Sequence, residues 1–159
     1  MRRMLLALAV ISGFAVLGFV PGAASAQGDG SVAFTIHAAS CPSDFEGGFF
    51  ETCHSNYLEG AAFTLTADGI SPAEITSSAD GVGEAMILAG VASADNAVLT
   101  VTAPTGGWAY CKDQISGFVL ADGPIPDTGA IELGTLTTTQ WVICDVYQYD
   151  VVEAVAANG

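Results

Sequence analysis

The chain has 159 residues, a formal net charge of −14, 51% hydrophobic residues and 13% charged ones. That length suits one domain with a real core and is short for two, and the apolar content excludes a disordered acidic tail. Only Arg2, Arg3 and Lys112 are basic, so the chain cannot neutralise phosphates, and nucleic acid and anionic membrane surfaces are poor partners.

In chain order, the first segment reads as an address. Met1-Arg2-Arg3-Met4 is basic, residues 5–20 are apolar, Pro21-Gly22 break the run, and Ala24-Ser25-Ala26 are small. This is the order of a secretory signal peptide, with cleavage expected after Ala26. The competing reading is an uncleaved anchor. The apolar run is shorter than the ~20 residues of a spanning helix, and helix breakers follow it. The expectation is a secreted or cell-surface protein with no membrane segment after cleavage, a domain over residues 27–153 and a flexible tail over 154–159. Beyond residue 26, Lys112 stands against 17 carboxylates, a formal charge of −16. Self-repulsion on that scale favours solubility and a monomer.

The exported part alternates apolar and polar residues. Val32, Phe34 and Ile36 alternate with Thr35 and His37 over 31–38, and Phe63 and Leu65 with Thr64 and Thr66 over 61–68. A period of two is that of a half-buried strand. Further strands are predicted over 73–78, 84–89, 97–103, 108–112, 115–121, 130–137 and 140–149. Between them stand turn signals: Asp68-Gly69, Asp80-Gly81, Asp95-Asn96, Gly106-Gly107 and Asp122-Gly123-Pro124. No window sustains a helical period. Turns at this spacing predict an all-β antiparallel sandwich of about seven to nine strands, not βαβ units.

Four cysteines, Cys41, Cys53, Cys111 and Cys144, lie in the exported part. An even count in an oxidising compartment predicts two disulfides, for which three connectivities exist. The favoured pairing is Cys41–Cys53 with Cys111–Cys144. The first pair brackets an irregular, Gly-, Ser- and acid-rich stretch (42–52), and closing so short a loop contributes about 3 kcal/mol in the chain-entropy model. The alternative is zinc held by His37, Cys41, Cys53 and His54, but these spacings match no common zinc arrangement, and adjacent strand residues face opposite ways. A blue-copper site would need a methionine near a Cys-His loop, and Met86 stands far from one.

The strand 32–38, Gly60-Ala61-Ala62-Phe63-Thr64-Leu65, the turn Ser78-Ala79-Asp80-Gly81-Val82-Gly83-Glu84-Ala85, and Leu99-Thr100-Val101-Thr102-Ala103-Pro104 before Gly106-Gly107 resemble the secreted prealbumin-like domains of the collagen-adhesin B-repeat type. These occur in bacterial surface proteins and pilins. The resemblance implies an Ig-like sandwich and a structural or adhesive role. Many members of that family close an isopeptide bond between a lysine on the first strand and an Asn or Asp on the last, with an acid nearby. Here the first strand carries His37 and no lysine, so the crosslink cannot form there, and two disulfides would replace it. The ending Cys144-Asp145-Val146-Tyr147 resembles a disulfide-bearing variant.

Other motifs have plainer explanations. Asp127-Thr128-Gly129 matches the aspartic protease triplet, but that chemistry needs two such aspartates and one copy is present. Ile125-Pro126 with Thr128-Gly129 resembles a sortase signal but lacks the apolar span and basic tail. Asp80-Gly81-Val82-Gly83-Glu84 supplies too few oxygens for a calcium loop. No Gly-x-Ser-x-Gly elbow exists, although a pair among the carboxylates could serve glycoside cleavage. Trp108, Tyr110, Trp141, Tyr147 and Tyr149 could form a stacking platform for sugar, with core packing the stronger alternative. The expectation is therefore a non-catalytic structural or adhesive module with no cofactor. Its working surface is the loop 40–59, and its ligand an extracellular protein or glycan. The alternatives are an extracellular hydrolase using paired carboxylates and an acidic cation-binding module.

Overall fold

A computed structural model describes residues 31–43, 45, 47–88 and 93–150. The expected signal segment (1–26) and tail (154–159) lie outside the described residues. The strands are β1 (Ser31–Cys41), β2 (Ala62–Thr66), β3 (Ala73–Thr76), β4 (Val82–Leu88), β5 (Ser93–Val101), β6 (Gly107–Asp113), β7 (Val119–Pro124), β8 (Ala130–Thr137) and β9 (Trp141–Tyr149). One short helix, α1 (Phe49–Cys53), follows β1. A five-stranded sheet in the order β4-β1-β9-β6-β7 packs on a four-stranded sheet in the order β3-β2-β5-β8. The protein is an all-β sandwich. No helix among the described residues is long and apolar enough to cross a membrane.

The alternation anticipated in the sequence places the core. Val32, Phe34, Ile36 and Ala38 of β1 and Val142, Cys144 and Val146 of β9 meet Phe63, Leu65, Leu99, Val101, Ile131 and Leu133 of the facing sheet, all buried. Burying a side chain of this size stabilises by roughly 1.5–3 kcal/mol relative to leaving it in water. Cys111 and Cys144 are register partners on this inner face, with Cα atoms 4.0 Å apart, and are joined as a disulfide. Gly107 opens β6 at φ 121°, and a Cβ there would overlap the Tyr147 carbonyl. The glycine is what lets β6 lie against β9 at this end.

Four local expectations change. Paired strands are antiparallel except β1 and β9, which run parallel. They are the first and last strands, so no tight turn forces them to reverse. The strand expected at 115–121 is Val119–Pro124 instead, and Asp122-Gly123-Pro124 is strand rather than turn. The cause is Asp113, whose carboxylate accepts the Ile115 N–H at 3.1 Å, the Ser116 N–H at 3.3 Å and the Ser116 hydroxyl, winding 114–117 into the turn. Pro124 is tolerated because β7 is an edge strand, where a missing N–H is harmless. Asp95-Asn96 is a bulge within β5: Asn96 has φ 53° and bonds Asp68 at 2.7 Å, while Asp95 accepts the Thr135 hydroxyl at 2.8 Å. Finally, β1 runs on to Cys41, and α1 interrupts a stretch read as irregular.

Asp113 is 4% exposed and also accepts the Trp141 N–H, so it ties the β6–β7 turn to the start of β9. Burial alone would raise its pKa, but the bonds from Ser116, Ile115 and Trp141 outweigh it and hold the carboxyl below the ordinary 3.8. A group depressed in this way stabilises the fold above its unfolded value, and that contribution is lost as pH falls through the folded one. Asp113→Ala should therefore cost about 1–3 kcal/mol at pH 7 in urea unfolding. The deficit should shrink as pH drops below 3.8, and a pH-independent deficit would refute the ionic role.

Candidate functional site: an aromatic groove on the outer sheet face

The outer face of the five-stranded sheet carries the residues that alternate with the core. Strand register sets them in rows. Ala39, Tyr147, Trp108 and Pro124 are successive partners across β1, β9, β6 and β7. The adjacent row is His37, Asp145, Tyr110 and Asp122, and the next holds Thr35, Ile143, Lys112 and Val119. Cys41 and Tyr149 pair beyond the aromatic row.

The segment after β1 folds back over this face. The Cys41–Cys53 disulfide, with Cα atoms 5.4 Å apart, ties the end of α1 to the end of β1, and both sulfurs are fully buried. Backbone bonds from Ser40 N–H to the Asn56 carbonyl and from Leu58 N–H to the Ala38 carbonyl lay the returning chain along β1. Phe49 enters the aromatic row from above. Its ring lies 5.7 Å from Trp108, nearly parallel at 20°, and 5.2 Å from Phe45, edge-on at 76°. Tyr147 and Tyr149 follow at 5.9 and 6.4 Å. Ala39, Cys41, Cys53 and Tyr147 are buried with Phe45, Phe49 and Tyr149 packed against them, a second and smaller core on the far side of the sheet. Aromatic pairs at these separations add about 0.5–1.5 kcal/mol each beyond area burial.

Beside this cluster lies a groove of about 870 Å³. One wall is the α1 segment, with Phe50 and Glu51; the floor is Trp108, Tyr110 and Tyr147; Asp122, Lys112 and Asp145 complete it. The Trp108 indole N–H donates to the Asp122 carboxylate at 2.9 Å, which orients the ring. Burial, reinforced by the charges of Asp145 and Glu51, pushes the Tyr147 phenol up to about 12, so it remains neutral. At the groove edge His37 Nδ1–H donates to Asp145 at 2.9 Å. That bond, against the lowering effect of burial and with the negative charges of Asp145 and Asp80 behind it, raises the His37 pKa above 6.5.

Four of the five aromatics singled out in the sequence (Trp108, Tyr110, Tyr147 and Tyr149) therefore meet at one site. Trp141 does not. It lies toward the opposite end of β9, is 44% exposed, and donates its indole N–H to the Thr35 hydroxyl at 3.2 Å. Tyr147 is packed, in line with the core-packing alternative, while Trp108 and Tyr110 stay half-buried beside the groove. The loop 40–59 contributes Phe45, Phe49, Phe50 and Glu51, none of which the sequence reading named. Their signal was an apolar Phe49-Phe50 pair inside a polar, disulfide-closed stretch.

The remaining motifs fall elsewhere. Cys41 and Cys53 are bonded to each other, which removes both thiolates from the set His37, Cys41, Cys53 and His54. Asp80 accepts the Ser78 hydroxyl and the Val82 N–H in the β3–β4 turn. Asp127-Thr128-Gly129 forms the turn into β8, closed by the Gly129 N–H on the Pro126 carbonyl at 2.8 Å. Among the described residues no group of three or more His, Cys, Asp or Glu is placed to hold a metal ion. Two disulfides in a small β domain are consistent with an extracellular location. No protein-family model matches the chain, and no curated protein sequence matches it.

Two outcomes follow from this geometry. Replacing Cys41 and Cys53 together by serine should cost about 3 kcal/mol. The near-ultraviolet dichroism of the Phe49–Trp108 stack should collapse while the far-ultraviolet β signal persists; an unchanged near-ultraviolet spectrum would contradict the clamp. A histidine whose pKa is raised on folding stabilises below its unfolded value, and the contribution fades as pH rises through the folded one. NMR titration should place the His37 midpoint above 6.5, and Asp145→Asn should lower it. A midpoint indifferent to Asp145 would remove that pairing.

Proposed function

We propose that the protein is an exported, non-catalytic β-sandwich module of the collagen-adhesin B-repeat kind, working at a bacterial surface or outside the cell, and that it contacts its ligand through the groove over β6 and β9. The observation that carries this reading is the groove itself. Aromatic rings are held at a solvent-facing site by a second core and a buried disulfide, where the outer face of a sandwich sheet would ordinarily be polar. Placement on a rigid sheet suits binding, because little ordering remains to oppose association.

In this reading β1 and β9 correspond to the strands that bear the family's crosslink. β1 and β9 are the first and last strands and lie side by side, and on them His37 and Asp145 are register partners. Histidine there has no amine to acylate, so the covalent reinforcement of this chain is its two disulfides. The signal-like segment 1–26 and the net charge of −14 agree with export as a soluble protein.

The test is a panel of immobilised extracellular proteins and glycans, probed with the purified protein and with Tyr110→Ala. The partner that retains the protein should lose at least tenfold in affinity with Tyr110→Ala, whose Tm should move little because the ring is half-buried. Glu132→Gln, exposed on β8 of the other sheet, should bind as the parent does. Binding that ignores Tyr110 but follows Glu132, or turnover of any polymer by purified protein, would end this reading.

A further inference from the structure

The charge of the groove narrows what it can hold. Asp145, Tyr110 and Asp122 are direct partners on β9, β6 and β7 and face the same side. Adjacent strands lie about 4.8 Å apart, so the two carboxylates stand on either side of the Tyr110 ring. Trp108 is the next outward residue on β6, its edge bonded to Asp122. Glu51 adds a third carboxylate from the α1 wall. Against these stand His37, which donates to Asp145 from β1 at 2.9 Å, and Lys112, displaced along β6 on the other side of Tyr110. Lys112 closes that end to a cation and leaves the Trp108 end open to one.

Resting on the reading of this groove as the contact surface, we infer that its ligand is a basic segment of a partner protein, with a lysine or arginine head group seated over Tyr110 and Trp108 between Asp122 and Asp145. Three arguments select this occupant. Ring faces attract cations most strongly where flanking carboxylates reinforce the field, and the Asp122 contact enriches the Trp108 indole further. Residues 27–159 hold one Lys or Arg against 17 Asp and Glu, so a cationic partner is drawn in over long range and an anionic one is repelled. The volume of about 870 Å³ is far larger than one ammonium group and leaves room for the flanking peptide. A neutral glycan could use the rings, but nothing in it would use the carboxylates as charges.

The experiment follows intrinsic tryptophan fluorescence of the full protein in a Trp141→Phe background, so that Trp108 reports alone. The probes are an unstructured lysine-rich peptide, the same peptide with glutamine in place of lysine, and a neutral cello-oligosaccharide. The lysine peptide should bind and the glutamine peptide should not. Raising salt from about 50 to about 500 mM should weaken the complex severalfold. Asp122→Asn with Asp145→Asn should weaken it at least tenfold, whereas Glu74→Gln with Glu132→Gln, which removes the same charge from the other sheet, should change it less than twofold. Circular dichroism melts of both double variants establish that they are folded. Equal losses in the two double variants, or no binding of the lysine peptide to the parent, would overturn the inference. If the oligosaccharide binds at Trp108 while the lysine peptide does not, the cationic ligand is excluded and the groove survives as a contact surface. If neither probe binds, the inference falls, and the Tyr110 panel decides the groove separately.

Discussion

Burial on both faces of β9 and its neighbours is the constraint from which the rest of this protein follows. A sheet in a sandwich needs only one apolar face. Here Val142, Cys144 and Val146 fill the core between the sheets, while Tyr147, on the opposite face of the same strand, is 4% exposed beneath α1. β1 behaves likewise, with Ile36 and Ala38 inside and Ala39 and Cys41 buried outside. The central strands thus transmit the position of the core directly to the floor of the groove.

The two disulfides act on opposite sides of that sheet. Cys111–Cys144 joins register partners under the groove floor, and Cys41–Cys53 holds the roof. Two covalent clamps matter more here than in an average domain, because a chain with so many carboxylates and so few cations opposes its own compaction. Ion pairing offers little relief, since His37–Asp145 is half exposed and such pairs contribute modestly. Cohesion comes from apolar packing, aromatic contacts and crosslinks.

The same acidity gives the groove its character. Most of its aromatic surface is already used in packing: Phe49 covers a face of Trp108, and Tyr147 is enclosed. What remains open is the strip where Tyr110 and the half-buried Trp108 adjoin Asp122 and Asp145. A site of that kind discriminates by charge as well as by shape.

Strand alternation, the turn dipeptides at Asp68-Gly69 and Asp80-Gly81, and the four cysteines were enough to read the sandwich, its core face and the favoured crosslinks. These are local properties, and a period of two or a glycine at positive φ leaves its mark on neighbouring residues. Two of the departures involve partners distant in the chain. Asp113 moved β7 by collecting donors from its own turn and from β9, and Asn96 became a bulge by reaching Asp68. The aromatics at 108, 110, 147 and 149 were visible as candidates, but their convergence was not, and neither was the exclusion of Trp141. Register between β6 and β9 decides which rings share a row, and the path of the chain from Cys41 to Cys53 decides which row is covered. Sequence by itself determined the all-β sandwich class and its core face, because burial pattern is written residue by residue. Only the tertiary structure decided the groove, because a cavity exists between segments, and its shape and field arise from side chains that the chain order keeps far apart.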